Sequence, residues 1–273
     1  MIDWQKIVRN DYVVPDSVNP IDLLPELFEM LGNSDPKIRD EQARSTLAHW
    51  IRVGYLDAAL RDVGDECATN LQSQNVLLRS FSALILGESL RRYRINPFLA
   101  GHIPAIWIQS WYRWYSSEPD VRSFDEDSGW IYTVAHGADV ACQIALLETS
   151  NDGLRHLTEL LTERLVSLPI HLNQGEDDRL ALAMLAILSQ PDFEPEDTQH
   201  WMRVHKMVCL EKVAGVSTPG AALALRSLHS LHSFLSLGVT LDDEVLTPAY
   251  PKETIEAVQK TLQLIYPYTR ARA

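Results

Sequence analysis

Apolar residues recur at helical spacing along nearly the whole chain, and nowhere do they alternate with polar ones long enough to make a strand. Asp35-Pro36 reads as an N-cap followed by proline at the first helical position. The segment behind it, Lys37 to Val53, sets Ile38, Leu47 and Ile51 among charges and is closed by Gly54. Thr218-Pro219 repeats the cap before Ala221 to Leu237, which Gly238 closes. Tyr250-Pro251 precedes a last helix, Lys252 to Ile265, with Ile255, Val258, Leu262 and Ile265 on one face. Further helices are predicted over residues 20–31, 55–70, 74–95, 98–116, 127–149, 153–168, 176–190 and 196–213. Asn96-Pro97, Glu118-Pro119, Asn151-Asp152-Gly153 and Gln190-Pro191 separate several of them. No Asn-Gly or Asp-Gly pair joins two β-branched runs, so no hairpin is expected.

About eleven helices with mostly short loops make sequential neighbours antiparallel. The expected fold class is therefore all-α, in a single helical domain spanning residues 1–273. Eleven helices exceed a simple bundle, whereas a HEAT- or armadillo-like α-α superhelix of stacked pairs, at roughly 40 residues per pair, fits the length. No strict repeated motif is present, so the stack is inferred from helix number alone.

Three helices carry polar residues where apolar ones are expected. The helix over 74–95 is apolar nearly all round, which predicts a central position. Glu88 interrupts its Leu77/Phe81/Leu84 face and Arg79 its Leu86/Leu90 face, and each needs a partner if buried. On the helix over 127–149, Tyr132, His136, Asp139 and Gln143 share one stripe, and Trp130 lies just before it. Gly137, Ala138 and Ala141 permit close approach of a neighbouring helix. The helix over 176–190 is apolar after a first turn of Glu176, Asp177, Asp178 and Arg179, where acids suit the dipole but the arginine does not.

Composition narrows the functional classes. The formal net charge of −13 repels phosphate backbones, so no nucleic-acid partner is expected. Arg91, Arg92 and Arg94 form a basic cluster, read more simply as a helix C-terminus opposing its dipole than as an anion site. Cys67, Cys142 and Cys209 are widely spaced among apolar neighbours, without a C-x-x-C, and read as buried reduced thiols. No run approaches the roughly 20 apolar residues of a membrane span, and the first residues lack a secretory apolar core, so the expected location is the cytoplasm without a membrane partner.

One segment is distinctive. Gly129-Trp130-Ile131-Tyr132-Thr133-Val134-Ala135-His136-Gly137-Ala138-Asp139 resembles the signature of an uncharacterised bacterial family, number 2785 in the "domain of unknown function" series. Arg79-Ser80-Phe81-Ser82-Ala83-Leu84 and Glu176-Asp177-Asp178-Arg179-Leu180-Ala181 are similar to that family too, as is the pattern around Leu47-Ala48-His49-Trp50-Ile51. Asp177-Asp178-Arg179 stands where Asp-Glu-Arg is expected, a departure that keeps the charge. The resemblance implies an all-helical fold and a bacterial source. It implies no activity and transfers no catalytic residue.

The candidate pocket is accordingly Arg79, Glu88, Trp130, Tyr132, His136, Asp139, Asp178 and Arg179. His136 and Asp139, three residues apart, could pair as an oriented base or share a metal with Asp178 or Glu88, which makes a metal-assisted hydrolase the alternative. The simpler reading is a structural network in which arginines and acids stitch helices together, with no resident metal or cofactor. Ser80 and Ser82 lack a nucleophile-elbow setting. Trp107, Trp111 and Trp114 could stack a ligand but read more simply as core. The pairs His200/His205 and His229/His232 lack a zinc ligand set, and the nucleotide-loop and EF-hand patterns are absent. No complete catalytic template appears, which favours a binding or scaffold module for a protein, peptide or small-molecule ligand.

Overall fold

The computed structural model describes residues 2–16, 18–99 and 103–268. It is mostly helical, with twelve α-helices among the described residues, and it divides into two compact units, Met1–Val140 and Ala141–Ala273. Among the described residues, no helix is long and apolar enough to cross a membrane.

The first unit holds α1 (Trp4–Arg9), α2 (Leu24–Leu31), a π-helix (Lys37–Arg44) that runs into α3 (Ser45–Val53), α4 (Leu60–Asn70), α5 (Val76–Ile95) and α6 (Ala105–Ser117). A two-stranded antiparallel hairpin, β1 (Phe124–Asp125) and β2 (Gly129–Trp130), leads into α7 (Thr133–Ala145), within which the unit boundary falls. Helix α5 is central, as its pattern predicts: Leu77, Phe81, Ala83, Ile85, Leu86 and Leu90 are all buried. Trp107, Trp111 and Trp114 are core, with the indole N–H of Trp107 donated to Asp65 and that of Trp114 to Glu118. Two glycines make room for aromatic rings. A Cβ on Gly64 would stand 1.9 Å from the Trp107 ring, and one on Gly137 would stand 2.1 Å from the Tyr115 ring.

The second unit holds α8 (Asn151–Val166), α9 (Glu176–Leu188), α10 (Pro195–Cys209), α11 (Pro219–Leu237) and α12 (Pro251–Ile265), with hairpins β3–β4 (Lys212–Val213, Val216–Ser217) and β5–β6 (Val239–Leu241, Glu244–Leu246). The Ser150 hydroxyl caps α8 by accepting the Gly153 N–H, and Pro195 opens α10 with Glu196 and Asp197 in its first turn. Helix α9 is buried from Leu180 to Leu188 apart from one position and packs against α11.

Several elements depart from the periodicity. The helix predicted over 127–149 begins only at Thr133 and ends at Ala145. Ahead of it, the Asp125 carboxylate accepts the backbone N–H groups of Asp127 and Ser128, and Gly129 and Tyr132 take positive φ. These local bonds satisfy the backbone outside a helix, so the hairpin prevails. The helix predicted to 213 ends at Cys209 for a similar reason. Ala214 and Gly215 both adopt positive φ and turn β3 onto β4, as Asp242 and Asp243 turn β5 onto β6. Hairpins were not expected because neither pair is an Asn-Gly or Asp-Gly. Residues 37–44 are helical but wound as a π-helix, with the Ser45 N–H reaching back to the Asp40 carbonyl. The start of the helix predicted over 98–116 falls partly on residues 100–102, outside the described residues, and α6 begins at Ala105. Helix α1 lay outside every predicted segment. All three cysteines are buried and unbridged, and burial pushes the Cys209 thiol up to about 12.

His205 of α10 is fully enclosed. Its Nε2–H donates to the Ala224 carbonyl of α11 at 2.9 Å, which leaves Nδ1 as a buried acceptor without a hydrogen bond. Burial lowers its pKa below the ordinary histidine value. Below about pH 6.5 the unfolded chain therefore takes up a proton that the folded chain resists, and stability falls as pH drops through that range while staying level above it. Urea unfolding at pH 7.5 and 5.5 is expected to show a smaller acid loss in His205→Gln than in the parent; equal losses in the two proteins would refute the assignment.

Candidate functional site

Arg39 organises the predicted cluster from beneath. It stands on the π-helix, is wholly buried, and its guanidinium lies 4.8 Å over the Phe81 ring. One terminal nitrogen donates to the Asn33 and Ser34 carbonyls at 2.9 and 3.3 Å, and the other to the Ser128 and Trp130 carbonyls at 2.7 and 3.3 Å. The planar fork thus joins the π-helix to the β1–β2 hairpin. Burial lowers the Arg39 pKa, opposed by Asp40, whose carboxylate is 3.9 Å away, and by Asp35.

On that support the signature segment forms an aromatic ladder. Phe124 meets Trp130 edge-on at 5.0 Å, Trp130 stacks on Tyr132 at 4.5 Å, and Tyr132 lies 5.7 Å from the His136 ring, which meets the edge of Phe81 at 5.1 Å. Tyr132 holds a φ of +55°, a costly conformation for a non-glycine residue, and its carbonyl accepts the His136 N–H as α7 begins. The ladder descends from exposed Phe124 and Trp130 to buried His136.

The structure brings Trp130, Tyr132 and His136 together and gives Arg79 and Glu88 partners of their own. Arg79 forks onto Glu118 at 2.6 and 2.7 Å and donates to the Ser73 carbonyl; Glu118 is itself buried and also accepts the Trp114 indole. Glu88 pairs with Arg52 of α3. Both part-buried charges have partners of opposite sign, supplied by residues that periodicity did not single out. Asp139 is half-buried on α7. Asp178 and Arg179 belong to the second unit, both exposed in the first turn of α9, where Asp178 accepts the Ser230 hydroxyl. Arg92 of the basic cluster is held by Asp57 at 2.6 and 2.8 Å.

Ser80 is the partner of His136 that the spacing did not show, since it arrives from α5. Its Oγ lies 2.9 Å from His136 Nδ1 and donates to the Ile131 carbonyl at 2.5 Å. A serine whose proton is committed to a carbonyl, and which is wholly buried, is not poised as a nucleophile. Among the described residues, no three histidine, cysteine or carboxylate side chains gather where they could share a metal. The bonds of Ser80 to His136 and to the Ile131 carbonyl tie α5 to α7 and to the segment between the hairpin and α7.

A cleft lies elsewhere, in the second unit between α8 and α10, with a volume of about 540 Å³. Phe193 and Trp201, only 1% and 3% exposed, meet edge to face at 6.0 Å and line it together with Val204. Thr158, Glu159, Thr162 and Glu163 of α8 line one side, and Glu196, Asp197 and His200 of α10 the other. Asp197 takes the Arg155 guanidinium at 2.6 Å and the Asn151 amide at 2.7 Å. Burial pushes its carboxyl up, but the Asn151 and Arg155 bonds, the Arg155 charge and a backbone bond at Glu194 together hold it below the usual range. Sequence reasoning missed this site. Its only trace was the spacing of Arg155, Glu159 and Glu163 on one helix and Asp197, Trp201 and Val204 on the other, which is also the spacing of an ordinary solvated helix edge.

A family model described as "Protein of unknown function (DUF2785)" matches residues 69–223, which takes in both the signature segment and the cleft. No curated protein and no solved structure matches the chain.

Proposed function

The chain belongs to the DUF2785 family, whose description assigns no activity, and from its own geometry we propose that it is a binding module whose ligand seat is the α8–α10 cleft. The observation that carries this reading is a concave site of about 540 Å³ with a buried aromatic floor and polar walls, the size and make-up of small-molecule sites generally. The signature cluster, by contrast, spends its polar groups on internal bonds. Stacking of helix pairs in a HEAT-like manner belongs to the same proposal. It is supported in the first unit by α4 and α5, an antiparallel pair in which Arg92 near the end of α5 holds Asp57 just ahead of α4. The reading also keeps nucleic acid out, since a chain of net charge −13 repels phosphates.

A mixed set of small aromatic and aliphatic fragments titrated into the ¹⁵N-labelled full chain tests the seat. Fragments are expected to shift the Trp201 indole resonance, identified by its loss in Trp201→Phe. Val204→Trp, a substitution at an exposed wall position, is expected to abolish those shifts and leave the melting temperature unchanged. Fragment shifts confined to other parts of the chain, or undiminished in Val204→Trp, would overturn the reading.

A further inference from the structure

Resting on the cleft as the seat, we propose that its ligand is a small organic cation, a primary amine or guanidine carried on an apolar stem. Acceptors predominate among the polar groups lining the cleft. Four carboxylates, Glu159, Glu163, Glu196 and Asp197, face one guanidinium and one imidazole. The guanidinium, Arg155, is already taken by Asp197. Glu159 meets only the exposed His156 at 3.7 Å, and Glu163 and Glu196 have no cationic partner among the described residues.

The two threonines add an independent observation. Thr158 donates its hydroxyl proton to the Arg155 carbonyl and Thr162 donates to the Thr158 carbonyl, both at 2.7 Å. Their oxygens therefore offer the cleft lone pairs and no hydrogen. A ligand complementary to such walls carries several N–H donors and positive charge. The floor asks for something apolar attached to it: Phe193 and Trp201 are aromatic, and an indole is the strongest side-chain partner for a cation lying over its face. The Trp201 indole N–H is buried without an acceptor, and its resonance reports changes at the ring that lines the cleft. A volume of about 540 Å³ suits a free small molecule.

The test is a matched series on one stem, followed by calorimetry and by the Trp201 indole resonance in the full chain: phenethylamine, 2-phenylethanol and 3-phenylpropionate. Phenethylamine is expected to bind about tenfold or more tightly than the alcohol, and the acid to bind weakest, with the preference shrinking at high salt. In Glu159→Gln/Glu163→Gln, both exposed positions, the amine is expected to lose about tenfold while the alcohol is unchanged. If the three probes bind the cleft equally, the cation inference is wrong and the seat stands. If none moves the Trp201 resonance, both readings are wrong. If the peptide acetyl-Gly-Gly-Lys-Gly-Gly-amide binds more tightly than phenethylamine, the occupant is a basic protein segment and the small-molecule assignment is overturned.

Discussion

Arg39→Ala is expected to be the most damaging polar substitution in the chain, costing about 3–5 kcal/mol of unfolding free energy. The loss has two parts. Removing the guanidinium takes the buried donor away from the carbonyls of Asn33, Ser34, Ser128 and Trp130 and unties the two segments that it joins. It also opens space under Phe81, whose face the guanidinium covers. Arg39→Lys is expected to recover only a minor share, since one ammonium with three donors cannot span carbonyls on both the π-helix side and the hairpin side. Urea titrations followed by far- and near-ultraviolet circular dichroism measure the loss. The Trp130–Tyr132 stack, which rests on a backbone held by Arg39, should lose its near-ultraviolet signal first. A loss below about 1 kcal/mol in Arg39→Ala would show that the joint is not carried by this residue.

The second large effect runs against helix propensity. Gly137 sits inside α7, where glycine to alanine ordinarily stabilises by about 1 kcal/mol. Here the added methyl would stand 2.1 Å from the Tyr115 ring, far inside contact distance. That ring cannot easily yield. Tyr115 is wholly buried, stacks on Trp111 at 5.4 Å and donates its hydroxyl to the Val134 carbonyl of α7 itself. Overpacking of this kind costs about 1–3 kcal/mol or more, so Gly137→Ala is expected to lower the melting temperature. The double substitution Gly137→Ala/Tyr115→Leu, which removes the ring that the methyl meets, should be less destabilised than the sum of the two single changes. Additive losses, or a stabilised Gly137→Ala, would mean that the glycine makes room for nothing.

Much of the fold was legible because burial follows periodicity. Helix α5 is apolar nearly all round and is central, and the Trp107, Trp111 and Trp114 stripe is core. The Gly137 gap on α7 was visible for the same reason. Caps written in residue chemistry, such as Thr218-Pro219 and Tyr250-Pro251, mark their helices to within a residue or two. Short-range competition was harder to see. The Asp125 turn and the positive φ of Tyr132 displace the start of α7, because a side chain that satisfies nearby backbone groups removes the advantage of continuing the helix. Arg39 was invisible for a related reason: between Lys37, Asp40 and Glu41 it looks like part of a solvated face, and its carbonyl partners on the hairpin lie some ninety positions away.

Alone, the amino-acid order decided the helical class, the central apolar helices, the reduced thiols in the core and the family signature, since each depends on side chains close together along the chain. It also set the condition that Arg79 and Glu88 need partners wherever they are withdrawn from water, because that demand belongs to the charged group itself. Which residues met the demand, Glu118 and Arg52, was decided only by tertiary packing. So was the pairing of Ser80 with His136, and so was the assembly of a cleft from two ordinary helix edges. Contacts between distant segments depend on how helices pack, and periodicity within one helix carries no information about which neighbour it will meet.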